Sequence, residues 1–258
     1  MKRIVTALAL IPLIVWTVLF AGYWPFLAVL STVALLCYYE YDAIAAHFGF
    51  GSPGWLGYGL GLLLLPAAGD PVWLLLVLMA LVALVFALRA QDLAKSLPRA
   101  ALLITGVVYI FGCWKCAIPL RDRNPHWLMY GLLLNWVGDI GAYYVGRTLG
   151  RHKLAPVVSP KKTWEGAAAS VVTSVAIAGA YLTHFVPGVS WPAAIALTAA
   201  ANAAGQVGDL AESAIKRGAG VKDSGTLLPG HGGFLDRVDS TLFALPVIYA
   251  YLRFCTAP

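Results

Sequence analysis

The sequence predicts an all-α fold, a polytopic integral membrane bundle of about nine transmembrane helices. Three observations carry this. Of 258 residues, 60% are hydrophobic and only 12% charged, against about 25% charged in a soluble domain. The apolar residues fall in runs close to the roughly 20 that a helix needs to cross a bilayer. The charged residues collect in the segments between those runs. Nine spans use most of the chain and leave no room for a separate soluble domain. The net charge of +6 lies in these loops. It therefore reads as a topology signal and a source of phosphate ligands rather than as a nucleic-acid surface.

Span one, about 4–20, follows Met1-Lys2-Arg3. It resembles a signal peptide but is longer than most such apolar regions, and Ala21-Gly22-Tyr23 is a poor cleavage site, so it reads as a retained span. Span two, about 26–44, ends with Glu40 and Asp42, which are placed at the interface. Span three, about 55–65, contains Gly57-x-Gly59-x-Gly61 without the strand or lysine of a nucleotide motif, so tight helix packing is expected. Span four is about 72–88, and a basic loop, 89–99, leads to span five, about 100–120. Lys115 in that span is read as snorkelling. Cys113 and Cys116 have a redox or metal spacing but no second pair nearby, so they read as ordinary helix residues.

Span six, about 127–145, contains Asn135 and Asp139, and an acid that far inside a span is a functional candidate. The loop that follows carries Arg147, Arg151, His152, Lys153, Lys161 and Lys162, with no acid before Glu165. Ser159 is expected to cap a helix beginning at Pro160, which would bring backbone N–H groups and two lysines to an anion. Spans seven, eight and nine are about 166–185, 191–209 and 241–254. The chain is thus divided into residues 1–120, with about five spans, and 121–258, with the polar motifs. With the N-terminus inside, a nine-span count puts the basic loops on the cytoplasmic side; eight or ten would split them.

Residues 209–240 hold nine of the thirty charged side chains. Asp209, Glu212, Ser213 and Lys216 are spaced i, i+3, i+4 and i+7, one face of a helix. Asp236, Asp239 and Ser240 repeat this at the start of span nine. Hard oxygen donors of this kind suit Mg²⁺, which keeps waters and is usually completed by substrate phosphates. The basic groups between them suit the remaining phosphate charge. A solvated loop whose acids pair its bases is the other reading of the same spacing.

The string Ser213-x-Ile215-Lys216-Arg217-x4-Lys222-Asp223-x-Gly225-x2-Leu228-Pro229-x-His231-Gly232-Gly233-Phe234-x-Asp236-Arg237-Val238-Asp239 resembles the signature of the phosphatidate cytidylyltransferase (CDP-diglyceride synthase) family. Asp139-x-Gly141-Ala142-Tyr143 and Ser159-Pro160-Lys161-Lys162-Thr163-Trp164-Glu165-Gly166 also resemble family motifs. The resemblance implies transfer of CMP from CTP to phosphatidate, giving CDP-diacylglycerol and pyrophosphate. It implies a multi-pass protein of a bacterial cell membrane with its site facing the cytoplasm, and it makes a homodimer an expectation, for which glycine-rich span three is a weak local hint.

On that reading Asp209 and Asp236 hold Mg²⁺, with Asp223 and Asp239 as further ligands or orienters. Lys216, Arg217, Lys222 and Arg237 bind triphosphate or lipid phosphate. Ser159, Lys161, Lys162 and Ser213 complete the phosphate cradle. Asp139 joins the metal or orients a lysine, and His231 fixes the glycine-rich turn. A CTP-dependent lipid-alcohol kinase would use the same metal and phosphate groups. A transporter of phosphorylated solutes is the non-enzyme alternative, but no internal repeat or midplane site is evident.

Overall fold

The computed structural model describes residues 2–52, 54–67, 69, 72–88, 92–227 and 232–255, with side chains described from residue 10 onward except that of Trp73. The all-α expectation holds: each of the nine apolar runs is a helix among the described residues. They are α1 (Lys2–Leu19), α2 (Tyr23–Ala46), α3 (Gly54–Leu64) and α4 (Val72–Ala87), then the continuous α5 (Leu93–Arg123) and α6 (Pro125–Thr148). After α7 (Trp164–Phe185) come α8 (Trp191–Gly218) and α9 (Asp239–Cys255). Of these, α2, α5 and α7 are long and apolar enough to cross a bilayer. One antiparallel hairpin, β1 (Lys153–Ala155) and β2 (Ser159–Thr163), joins α6 to α7. The chain divides into two compact units.

Unit one comprises Met1–Leu8, Gly22–Lys115 and Ile215–Asp236. Its core is built on Tyr38 and Phe111, both fully buried, with ring centroids 5.5 Å apart. Helix α3 can approach them because two of its residues lack side chains. A Cβ at Gly57 would lie 1.6 Å from the Tyr38 hydroxyl, and one at Gly61 would lie 2.1 Å from the Phe111 ring. The expected packing role holds for these two glycines. Gly59 meets nothing within 4 Å. The close contacts are made by the chain's own aromatics, so they give no hint of a second copy. In α5 a π-helical stretch, Val107–Gly112, turns Val107, Ile110 and Phe111 into this core. Lys115 does not snorkel. Its ammonium donates to the carbonyls of Leu64 (3.1 Å), Leu65 (3.4 Å) and Ala67 at the end of α3, where a cation complements the helix dipole.

Unit two comprises Ala9–Ala21, Cys116–Ala214 and Arg237–Pro258. Helix α6 packs along α7 through small residues. A Cβ at Gly141 would sit 2.3 Å from the Thr173 hydroxyl, and one at Gly166 would sit 3.0 Å from the Ala142 carbonyl. Between the helices runs a polar ladder, the interhelical hydrogen bonding that suits an apolar surround. Asn202 donates to the hydroxyls of Ser170 (3.0 Å) and Ser174 (2.9 Å), Ser174 donates to the Leu134 carbonyl (2.7 Å), and Gln206 donates to Asn202 (2.6 Å). Arg121 is buried and donates to the carbonyls of Val18 (2.9 Å), in the last turn of α1, and of Ala21 just beyond it.

Candidate active site

Ser159 does not begin a helix. Residues 159–163 form β2, paired to β1 with Lys153 opposite Thr163 and Ala155 opposite Ser159. The cap lies four residues later: the Thr163 hydroxyl accepts from Gly166 N–H at 3.2 Å and starts α7. Two hydroxyl residues are available as caps in Ser-Pro-Lys-Lys-Thr, and strand pairing selects the second. The base of the hairpin is tied by Glu165, which accepts from the N–H groups of Arg151 (3.1 Å) and His152 (3.2 Å) and pairs with the His152 ring at 2.6 Å.

This hairpin and the polar ladder wall a cavity of about 510 Å³ in unit two. Lys153, Lys161 and Lys162 line it from the hairpin, Asp139 from α6, and Asn202, Gln206 and Asp209 from α8. Lys162 and Asp209 form an ion pair at 2.5 Å, with side chains 26% and 32% exposed. Ser213 donates to Asp209 at 3.3 Å, so it orients that carboxylate. Asp139 is exposed on the wall, and the charges of Asp209, Lys162 and Arg237 act on it. Asp239 is buried at the first turn of α9, within reach of the charges of Asp209 and Glu212. The cavity thus joins acids and lysines in one chamber of a size suited to a small phosphorylated ligand.

In unit one the loop after α8 is bound to itself. Asp236 pairs with Lys216, and its two oxygens also accept from Ser224 N–H (3.2 and 3.0 Å) and Gly233 N–H (2.9 Å). Burial alone would push this carboxyl up. The Lys216 ammonium and the two backbone donors outweigh it and hold Asp236 below the ordinary aspartate range. Beneath the loop lies Glu40, 1% exposed. It accepts from the Ser224 hydroxyl (2.7 Å), Phe234 N–H (2.9 Å) and Leu235 N–H (2.8 Å). The interfacial placement of Glu40 is therefore corrected: it is a buried anchor. Asp42 accepts from Ser52 (2.6 Å) and Gly54 N–H (2.9 Å) at the start of α3. Arg217, Lys222, Asp223 and Arg237 are exposed, with Arg217 donating to the Val221 carbonyl at 3.2 Å. His231 lies outside the described residues, as do Leu228, Pro229 and Gly230.

The whole of this arrangement falls within one match: residues 1–255 fit the description "Cytidylyltransferase family". The chain belongs to the cytidylyltransferase family. It is 37% identical over 196 residues to the phosphatidate cytidylyltransferase of Staphylococcus aureus (strain COL), covering 74% of this chain and 75% of that one. It is 40% identical over 148 residues to the protein of the same description in Bacillus subtilis (strain 168), covering 56% and 55%. A third, from Staphylococcus haemolyticus, is 39% identical over 153 residues, 59% of each chain.

For a member of this family the donor set can be tested against a divalent metal. Among the described residues no three His, Cys, Asp or Glu side chains converge as a ready cage. A pair does: Asp139 and Asp209 both line the cavity. Mg²⁺ is usually bound by one or two carboxylates with waters and substrate phosphates, so this pair fits it. In this cytidylyltransferase each of Asp209 and Asp236 carries a lysine ammonium on one oxygen, a cation already in the place another cation would take. Glu40 is the residue that sequence reasoning missed as an anchor, because its partners lie 184 to 195 residues away.

Proposed function

We propose that the chain is a phosphatidate cytidylyltransferase of a membrane. A phosphate oxygen of phosphatidate bonds to the α-phosphorus of CTP, the bond from that phosphorus to the bridging oxygen breaks, and pyrophosphate leaves with CDP-diacylglycerol as the other product. The observation that carries the reading is the unit-two cavity, where Lys161, Lys162, Asp139 and Asp209 converge in a chain of this family. The nucleophile is already ionised, so the chemistry needs no strong base. It needs two anions held together against repulsion.

Lys161, Lys162 and Lys153 bind phosphate oxygens, and Asn202 and Gln206 lie along the α8 wall where they can take polar groups of the nucleotide. Asp209 and Asp236 are each Mg²⁺ ligands, with Asp139 beside Asp209. A bound Mg²⁺ supplies charge neutralisation on the phosphates and the leaving group. Were Mg²⁺ bound by these aspartates, Lys162 and Lys216 would be available to phosphate oxygens. Lys216, Arg217, Lys222 and Arg237 serve triphosphate or lipid phosphate, and Ser213, Asp223 and Asp239 orient their neighbours. Ser159 and His231 belong to the same phosphate-handling loops.

The nine helices are nine spans, with the N-terminus and the basic loops facing the cytoplasm. Rows of exposed apolar side chains on α4, including Leu78, Leu81, Leu84 and Val85 at 49, 52, 49 and 65%, support a lipid surround. The test is mass spectrometry of lipid products from purified protein given phosphatidate, CTP and Mg²⁺, with an EDTA control. CDP-diacylglycerol and pyrophosphate formed only with metal are expected. Intact phosphatidate and CTP with folded protein would remove the reading.

A further inference from the structure

Two amide side chains, Asn135 of α6 and Gln206 of α8, line the unit-two cavity. An amide carries both a donor and an acceptor, so by itself it tells cytosine from uracil poorly. Here that ambiguity is removed. Gln206 donates to the Ala167 carbonyl (3.1 Å) and to the Asn202 oxygen (2.6 Å). Asn135 donates to the Gly131 carbonyl (3.0 Å) and to the Thr241 hydroxyl (3.3 Å). A backbone carbonyl can only accept, so neither amide can be turned end for end. Both hydrogens of each are spent. Among the described residues none donates to either side-chain oxygen. The oxygen is what each amide has left for a ligand.

We propose that the side-chain oxygens of Gln206 and Asn135 read the base of the nucleotide: they accept from the exocyclic 4-amino group of cytosine, admitting CTP and rejecting UTP. This rests on the nucleotidyl-transfer reading above.

Gly205 brings the two oxygens to one level. A Cβ there would lie 2.7 Å from Asn135 Oδ1, so that atom rests against the α8 residue next to Gln206. Asn135 is 6% exposed, and an acceptor left unpaired at such a site is costly. Each amide also stands about one helical turn before an acid, Asn135 before Asp139 and Gln206 before Asp209. A base bound at the amides thus lies a turn away from phosphates held at the acids and the hairpin lysines. The ester and phosphate oxygens of the two substrates are themselves acceptors, which these atoms repel. Cytosine presents an amine with two hydrogens where uracil presents a carbonyl oxygen. Two acceptors match the first and oppose the second.

The experiment measures equilibrium binding by calorimetry, with Mg²⁺ and no lipid substrate, of CTP, UTP, 2′-deoxy-CTP and the CTP analogue that lacks the 4-amino group. The parent protein should bind CTP about tenfold to a hundredfold more tightly than UTP or the amine-free analogue. Gln206→Met keeps the bulk and removes the acceptor. It should weaken CTP about tenfold while UTP and the amine-free analogue stay within about twofold. Asn135→Leu should do the same. Where that buried substitution fails to fold, the Gln206 variant and the amine-free nucleotide carry the test. An equal loss for all four nucleotides makes Gln206 structural only and overturns the proposal. So does a parent protein that binds CTP and its amine-free analogue alike. If Gln206→Met instead erases a preference for CTP over 2′-deoxy-CTP, the acceptors serve the ribose and the proposal also falls. Lipid products are read separately. CDP-diacylglycerol formed without any amine preference keeps the reaction and loses the reader. Amine-selective binding without product keeps the reader and loses the reaction.

Discussion

Glu40 and Asp236 in unit one are set differently from Asp139 and Asp209 in unit two. In unit one Glu40 and Asp236 are turned inward, each accepting from a loop backbone, and glycines clear the space: a Cβ at Gly225 or Gly233 would come within 2.5 Å of a Glu40 oxygen. In unit two Asp139 and Asp209 stand on a cavity wall, and a lysine is the ion-pair partner of Asp209. The same residue type serves as an internal scaffold at Glu40, whose partners are a hydroxyl and backbone donors, and as an open ligand surface at Asp139 and Asp209. Acidity in a motif therefore says little until the other partners of the oxygens are known. Backbone partners fix shape, whereas a mobile ammonium can be exchanged for a ligand.

The sharpest way to break this contrast is Asp209→Asn. We expect CDP-diacylglycerol formation to fall by roughly a thousandfold or more while the melting temperature of the solubilised protein barely moves. Parent-like turnover would end the ligand role of the cavity wall. Glu40→Ala should do the reverse. It strands three buried donors, each worth about 1–3 kcal/mol, so denaturation should show a loss of about 3 kcal/mol or more; an unchanged midpoint would demote Glu40 to a bystander.

Gly225→Ala and Gly233→Ala come next, at about 1–3 kcal/mol for forcing a methyl against the Glu40 carboxylate, and a Glu40→Ala background should shrink that cost. A pH series probes Asp236. Its carboxyl is held below the ordinary value of 3.8, so it contributes stability above that value and loses it as the pH falls through the lowered folded one. Melting temperature should therefore drop in acid, and Asp236→Asn should flatten that part of the profile. Smallest in stability is Lys222→Ala. Its exposed side chain should change the folding free energy by less than about 0.5 kcal/mol, while the KM for CTP rises.

The helices were legible because each apolar run is local: the run at 55–65 is α3, and that at 191–209 opens α8, which continues to Gly218. The spacing of Asp209, Ser213 and Lys216 on one helix was legible for the same reason. What the sequence concealed was long-range pairing. Ser159 and Thr163 are equivalent as caps until β1 is seen beside β2. Glu40 passes for an interfacial acid until Ser224, Phe234 and Leu235 are found bonded to it. Lys115 passes for a snorkelling residue until the carbonyls 48 to 51 residues earlier are found.

The two cations held by backbone carbonyls, Lys115 and Arg121, have a consequence for assembly. A ribosome delivers Val18 and Ala21 long before Arg121, and Leu64, Leu65 and Ala67 long before Lys115. Each positive charge thus emerges after its acceptors have been made, and a helix end with unsatisfied carbonyls is already present when it arrives. The order of synthesis spares Lys115 and Arg121 a period with no acceptor to hold them. A circular permutant opened between α4 and α5 would reverse that order and make α5 wait for its acceptors.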